Sequence, residues 1–392
     1  MPSRAVLSCL LVVALLGVRG ALADEVIIGA SLPLSGPLAS FGAFQRWGYE
    51  RAVAEVNRTG GVLLSGTHRA VRLLIRDDRS DANVVSSNTE TLLSRDHAQV
   101  LLGSCTPALV NAGALVAERH RIPMVTGCDP HRAFVGVRAW KYVWDLFFDE
   151  AELAAAPFEA LAAAGVTTNR KLADLHDNGP DGQVVGGQLW PALAPRYGYS
   201  IVTSASFPVD GTQFTAQLAD AKANGAEIVL VDATTPQAVS IRKQMAAVGY
   251  RPKVIVMEKG AEPAQFAATL GSLADGVLVG GYWDPSLAYP GARELMAAYV
   301  AQFHQPGSQH IADSYAAGKV LLAALAAAGS VNADAINSAL ARTDLTTVVG
   351  RVHFDNQHFA HLPIVSVQWQ KGATVIVWPA SAATGKLLFP VP

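Results

Sequence analysis

Charge and cysteine are both scarce in this chain of 392 residues. Asp, Glu, Lys and Arg make up 16% of it, and there are 3 cysteines. Thirty basic against 32 acidic residues leave a formal charge of −2 with no basic run. That excludes the electrostatic footprint of a DNA- or RNA-binding protein, so no nucleic-acid partner is expected. So few cysteines in so long a chain exclude a small disulfide-stapled scaffold. Apolar residues reach 51%, which excludes a disordered chain and allows a sizeable core. Catalytic and cofactor signatures are missing as well. The sequence contains no G-x-S-x-G, no H-E-x-x-H, no G-x-x-x-x-G-K-[ST] and no G-x-G-x-x-G. No enzyme activity, cofactor or metal is therefore expected. His353, His358 and His361 bunch near the C-terminus, but their spacing matches no standard metal site and reads as a hairpin surface. Asp77 and Asp78 are adjacent in a loop and point apart, which suits capping or a cleft rim better than paired acid–base work.

An uncharged, mostly apolar stretch lies at the start. Arg4 precedes Ala5 to Val18, and Arg19-Gly20-Ala21-Leu22-Ala23 follows. A basic flank, a short apolar stretch and a small-x-small end predict a secretory leader, residues 1–23, cut near Ala23. The run is short of the ~20 residues a spanning helix needs. An exported, soluble mature protein is expected. Cys105 and Cys128 would then meet an oxidising compartment. Both follow expected strands, so a structural disulfide between them and a pair of free thiols both stay open.

Beyond Asp24, short β-branched runs alternate with longer Ala-rich amphipathic segments. Strands are expected at Glu25–Ser31, Val71–Asp77, Ala98–Gly103, Ile122–Thr126, Lys171–His176, Ser200–Ala205, Glu227–Val231, Lys253–Met257 and Gly276–Gly281. Helices such as Gly42–Asn57, Pro107–Arg119, Glu150–Ala164 and Asp313–Ala328 separate them. This pattern predicts an α/β protein of parallel sheets, with too many strands for one open sheet. Three strand ends share one construction: Cys105-Thr106-Pro107, Cys128-Asp129-Pro130 and Thr234-Thr235-Pro236. Each reads as a turn, a capping residue and a proline in the first helical turn. Helix N–H groups aimed from the carboxyl ends of strands suit a carboxylate ligand.

The opening Ile27-Ile28-Gly29-Ala30-Ser31-Leu32-Pro33-Leu34-Ser35-Gly36-Pro37, then Ala52-Val53-Ala54-Glu55-Val56-Asn57 and Gly60-Gly61, resembles branched-chain amino-acid-type solute-binding proteins. Asp77-Asp78, Gly103-Ser104-Cys105-Thr106, His176-Asp177-Asn178 and Val349-Gly350-Arg351-Val352-His353-Phe354-Asp355 continue the resemblance in order. It implies two Rossmann-like doubly wound lobes joined by three hinge strands, the type I periplasmic binding protein fold. The lobes would comprise residues 24–143 with 274–347, and 144–273 with 348–392. It also implies a monomer in the periplasm that closes on a small carboxylate and delivers it to an ABC permease.

By the same resemblance, the turns at Cys105-Thr106-Pro107 and Cys128-Asp129 hold the carboxylate, and Phe41 faces the apolar portion. In the second lobe, Asp181 and Thr234 stand where leucine-type members usually carry tyrosines. Near the position of the acid that holds the ligand ammonium stand Glu258 and Lys259, and a gap-free alignment favours Lys259. A cleft lysine would attract an anion, so an aromatic or other organic acid is favoured as ligand. A one-residue slip would put Glu258 in the cleft and restore a leucine-like amino acid. A sensory ligand-binding module and a secreted enzyme are the alternatives of other classes.

Overall fold

The computed structural model describes residues 25–392, and the expected leader lies outside the described residues. Two mixed layers of sheet and helix organise the chain. The first sheet has six strands, taken across it as Phe359–His361, Val143–Phe147, Met124–Thr126, Val100–Leu102, Val26–Leu32 and Val71–Asp77, all paired in parallel. The second has seven. Ala373–Trp378 and Val365–Gln370 run antiparallel at one side of Val277–Gly281, and Val254–Lys259, Ile228–Ala233, Lys171–Asp177 and Ser200–Phe207 continue in parallel.

The second sheet shows why its strands are almost unbroken apolar runs. Ala173, Leu175, Val229, Val231, Ile255 and Met257 pack on one face, and Leu172, Ile228, Leu230, Val254 and Val256 on the other. Side chains alternate between faces, and helices cover both, so charge within the strands is held only where it is matched, as at the buried Asp174, 2.9 Å from His176 and 3.1 Å from Ser204. Polar residues therefore collect where the strands run out: Asp177 and Asp232 on two of them, and Glu258 with Lys259 on a third.

The chain passes between the sheets three times, after Phe147, after Gly281 and after His361. The boundaries expected at 143/144, 273/274 and 347/348 each fall too early. In every case the departing segment still completes a ladder in the sheet it is leaving. Val143–Phe147 pairs with Met124–Thr126, Val277–Gly281 with Val254–Lys259, and Phe359–His361 with Val143–Phe147. Val143–Phe147 and the strands after residue 358 were not among those expected; the first carries a buried Asp145 that interrupts its apolar run.

Helix Ala39–Arg58 crosses helix His310–Ala328, the core helix of the first lobe. The crossing is close because Gly48 has no side chain. A Cβ there would lie 2.1 Å from Ser314 Oγ, 2.8 Å from the Tyr315 amide nitrogen and 2.9 Å from the Ile311 carbonyl oxygen. Backbone atoms cannot step aside as a side chain can. Gly48→Ala should therefore cost about 2 kcal/mol, within the usual range for overpacking, despite alanine's better helix propensity. Urea unfolding measures it, and an unchanged midpoint would contradict so tight a crossing.

Candidate functional site

The carboxyl ends of strands from both sheets meet at one cleft. On the first-lobe side, Tyr49 Oη donates to the Gly103 carbonyl at 2.9 Å, and Gln45 Nε2 to the Ser104 carbonyl at 2.8 Å. Ser104 Oγ donates to Asp78 at 2.9 Å. These bonds hold the turn at Cys105-Thr106-Pro107, where Thr106 has a φ of +72°. Cys105 and Cys128 are joined by a disulfide, and the Thr106 amide donates to the Cys128 carbonyl at 3.1 Å. A crosslink closing a loop this short is worth about 3 kcal/mol in the chain-entropy model.

On the second-lobe side, Glu258 and Lys259 both line the inner cavity. Consecutive strand residues ordinarily point to opposite faces. Here Lys259 has a φ of +57°, a left-handed conformation that breaks the alternation and turns both side chains to the cleft. Gly260 makes this bend feasible, since a Cβ there would lie 2.5 Å from the Ala233 carbonyl oxygen and 2.7 Å from that of Thr234.

Lys259 is not a free cation. Its Nζ lies 2.8 Å from Asp177 Oδ2, 2.9 Å from Asp232 Oδ1 and 3.4 Å from Asp181 Oδ2. Burial alone would lower its pKa, but Asp232, Asp177 and Asp181 outweigh that and hold it well above its ordinary value. The expectation that it attracts an anion is corrected accordingly, because its charge is already matched. Burial raises the Asp181 carboxyl against the pull of Lys259, and pushes Asp232 up to about 7. Glu258 is fully buried; its Oε2 accepts from the Gly280 amide at 2.7 Å, while Oε1 has no hydrogen-bond partner. Burial raises its pKa well above the ordinary range.

A second charged group spans the lobes. His310 begins the first-lobe core helix, and its Nε2 lies 3.1 Å from Glu262 in the second-lobe loop. Its Nδ1 lies 2.7 Å from Asp313, and Tyr282 Oη also donates to Asp313. Burial works against the imidazolium, but Asp313 and Glu262 raise its pKa to about 10. The Phe41 ring meets His310 edge-on at 5.0 Å.

The inner cavity, about 30 Å³, has room for little more than a water or two. Phe41, Cys105, Thr106, Pro107, Cys128, Phe147, Phe148, Asp181, Asp232, Glu258, Lys259, Glu262 and His310 are among its walls. A larger cavity of about 460 Å³ adjoins it, sharing Thr106, Pro107, Asp181 and Lys259. Of the expected residues, Phe41, Cys105, Thr106, Pro107, Cys128, Asp181, Glu258 and Lys259 come together at the inner cavity. Thr234 lines the outer one and is engaged by Gln237, whose Oε1 accepts from the Thr234 amide at 3.1 Å and from its hydroxyl at 3.0 Å.

Asp129 lies off both linings, fully buried, with its carboxyl pKa raised well above the ordinary value by burial and by nearby Glu150. Nor does the helix after Pro130 offer its first N–H groups to a ligand. The Arg132 and Ala133 amides donate to Glu150 at 2.6 and 2.9 Å, and the His131 amide to the Phe148 carbonyl at 3.0 Å. The carboxylate role expected of Cys128-Asp129-Pro130 is thus already filled by a carboxylate of the chain itself. His310, Glu262, Asp177, Asp232 and Asp313 were missed as site residues. His310 and Asp313 stand three apart, a spacing that places them on one helix face and could have signalled them.

The buried carboxyls give the protein a defined response to pH. Burial raises Asp78 to about 6, and Asp232 and Glu150 to about 7. Ordinary carboxyls lose their protons near pH 4, so the folded state binds more protons than the unfolded chain through the intervening window. Stability of the unliganded protein therefore falls as pH rises from 5 to 8, and His310, raised above its ordinary value, acts in the same direction. Thermal unfolding should show a higher midpoint at pH 5 than at pH 8. An equal or reversed order would contradict these protonation states.

Comparison with known proteins matches this architecture. A periplasmic binding protein family covers residues 25–374. The Leu/Ile/Val-binding protein homolog 8 of Brucella abortus is 28% identical over 407 residues, covering 98% of this chain and 99% of its own. The substrate-binding protein LivJ of Streptococcus pneumoniae, solved with isoleucine, superposes with a TM-score of 0.80 at 20% identity, covering 94% of this chain and all of its own. A solute-binding protein of an ABC transporter from R. palustris, solved with benzoate, superposes at 0.77 and 19% identity, covering 93% of this chain and 99% of its own. Two parallel-sheet lobes, three crossings and a cleft at their strand ends agree with the family match, and the chain belongs to the periplasmic binding protein family.

Proposed function

We propose that this chain captures a small solute outside the cytoplasm for an ABC permease, without chemical change, and that the solute carries an ammonium group, as an amino acid does. One observation supports the ligand class above others. Four carboxyls on the inner wall, Asp181, Asp232, Glu258 and Glu262, face two cations, Lys259 and His310, whose charges are already matched. An ammonium entering there would meet Glu258 Oε1, a buried oxygen with no hydrogen-bond partner. The turn at Thr106-Pro107 begins a helix of 14 residues, whose N-terminus suits a carboxylate. Phe41, Phe147 and Phe148 supply an apolar wall, which a solute reaches only once the lobes part, since the inner cavity of about 30 Å³ is too small for it as it stands. This reverses the preference for an organic acid drawn from Lys259.

The organic-acid reading keeps one support, the same aromatic wall together with likeness to the benzoate-bound R. palustris protein. An acid without an ammonium would have to draw Lys259 or His310 away from its carboxylates.

The discriminating experiment is a thermal-shift and calorimetric panel of leucine, isoleucine, valine, other amino acids, benzoate-type acids and short dicarboxylates. A ligand at ~1,000-fold over its Kd adds about 4 kcal/mol, a shift of several degrees. Amino acids should raise the midpoint, and Glu258→Gln should weaken them by roughly 30-fold or more, the loss of a charged hydrogen bond. Stabilisation by acids alone, with Glu258→Gln without effect, would overturn the ammonium assignment.

A further inference from the structure

The C-terminal histidines match no metal spacing along the sequence, but folding brings one of them to a partner far away. His361 ends the strand Phe359–His361, and His131 opens the helix after Pro130; their rings lie 4.8 Å apart between centroids. Asp355 completes the group. One ligating atom from each of His131, Asp355 and His361 lies within 4.8 Å of the others. We propose that these three residues form a binding site for a divalent transition-metal ion of the zinc class, on the first lobe and separate from the solute cleft.

Two hydrogen-bond patterns prepare the side chains for this role. Asp355 Oδ1 is occupied, accepting from the Gln357 amide at 2.8 Å and the Phe359 amide at 3.0 Å. Those bonds fix the carboxylate, while Oδ2 turns toward His361 Nε2 at 3.8 Å. His131 Nδ1 lies 3.2 Å from Asp149 Oδ2. A carboxylate on one imidazole nitrogen fixes the tautomer, makes the ring a stronger ligand and leaves the lone pair on the other nitrogen. That other nitrogen, Nε2, lies 3.3 Å from Gln357 Oε1, an acceptor that must rotate away before the Nε2 lone pair can reach an ion.

Two imidazoles and one carboxylate, with open positions for water, suit Zn²⁺, Ni²⁺ or Cu²⁺ better than the oxygen-seeking Ca²⁺ or Mg²⁺. Zinc bonds of about 2.0–2.2 Å place tetrahedral ligand atoms about 3.3 Å apart. Contraction from the present spacing is within reach of side-chain rotation, since His361 and Asp355 stand on the surface with side-chain exposures of 46% and 36%. The site lies beside two of the three crossings between lobes. His361 is the last residue before one, and Asp149 caps the helix that follows another.

The test is a titration of chelator-treated, tag-free protein with Zn²⁺ by calorimetry, and with Co²⁺ by visible absorption. One equivalent should bind with a micromolar Kd, and Co²⁺ should develop d–d bands. His361→Asn, His131→Asn and Asp355→Asn should each weaken binding at least tenfold. Asp149→Asn should weaken it roughly tenfold through His131, while His353→Ala should leave it unchanged. Metal-free thermal unfolding reports the fold of each variant, and His361→Asn, at the surface, decides the matter if His131→Asn fails to fold. Absence of stoichiometric binding, or binding equal in His361→Asn and the unsubstituted protein, would overturn the site.

Discussion

Burying charge is expensive unless it is matched, and the cleft of this protein is organised by that rule. Lys259 is held among Asp177, Asp181 and Asp232, and His310 between Glu262 and Asp313. Neither cation is left over. Burial raises the pKa of the carboxyls in excess, above all that of Glu258. A low dielectric makes each unmatched charge costly, which favours the neutral form of those carboxyls. A ligand ammonium would take the place of those protons.

The sheets explain why charge gathers here. Strands covered on both faces carry mostly apolar side chains, with Asp145 and Asp174 as buried exceptions, and gather further polar groups at their carboxyl ends, which both lobes direct at the cleft. The His310–Glu262 pair joins the lobes across it, with the Phe41 ring packed against the imidazole. Closure of the lobes, which the resemblance implies, would be a shift between conformations, driven by a solute as far as it binds the closed form more tightly.

Much of the architecture was legible in the order of residues. Strand–helix alternation predicted two parallel-sheet lobes, and the Thr-Pro turn at residues 106–107 stands at the cleft with Phe41 and the Cys105–Cys128 pair. What escaped was long-range or conformational. No periodicity tells that Lys259 adopts a left-handed backbone, which brings two consecutive side chains to the cleft instead of one. The helix after Pro130 looked like a free anion site because Glu150, its actual cap, belongs to the next helix. His310 meets Glu262 through folding alone. The crossings come after residues 147, 281 and 361, later than the boundaries the resemblance implied, because each time a strand ladder carries the chain further in the sheet it is leaving.

If the solute carries an ammonium, as proposed, its positive charge would replace protons on the cleft carboxyls. Calorimetry at pH 6.5 in buffers of differing ionisation enthalpy counts the protons exchanged when a stabilising solute binds. Net proton release, with affinity rising from pH 6 to pH 8, is the predicted result. Proton uptake on binding, with affinity rising toward acid, would mean that an anion enters the cleft and that its excess of carboxyls has been misread.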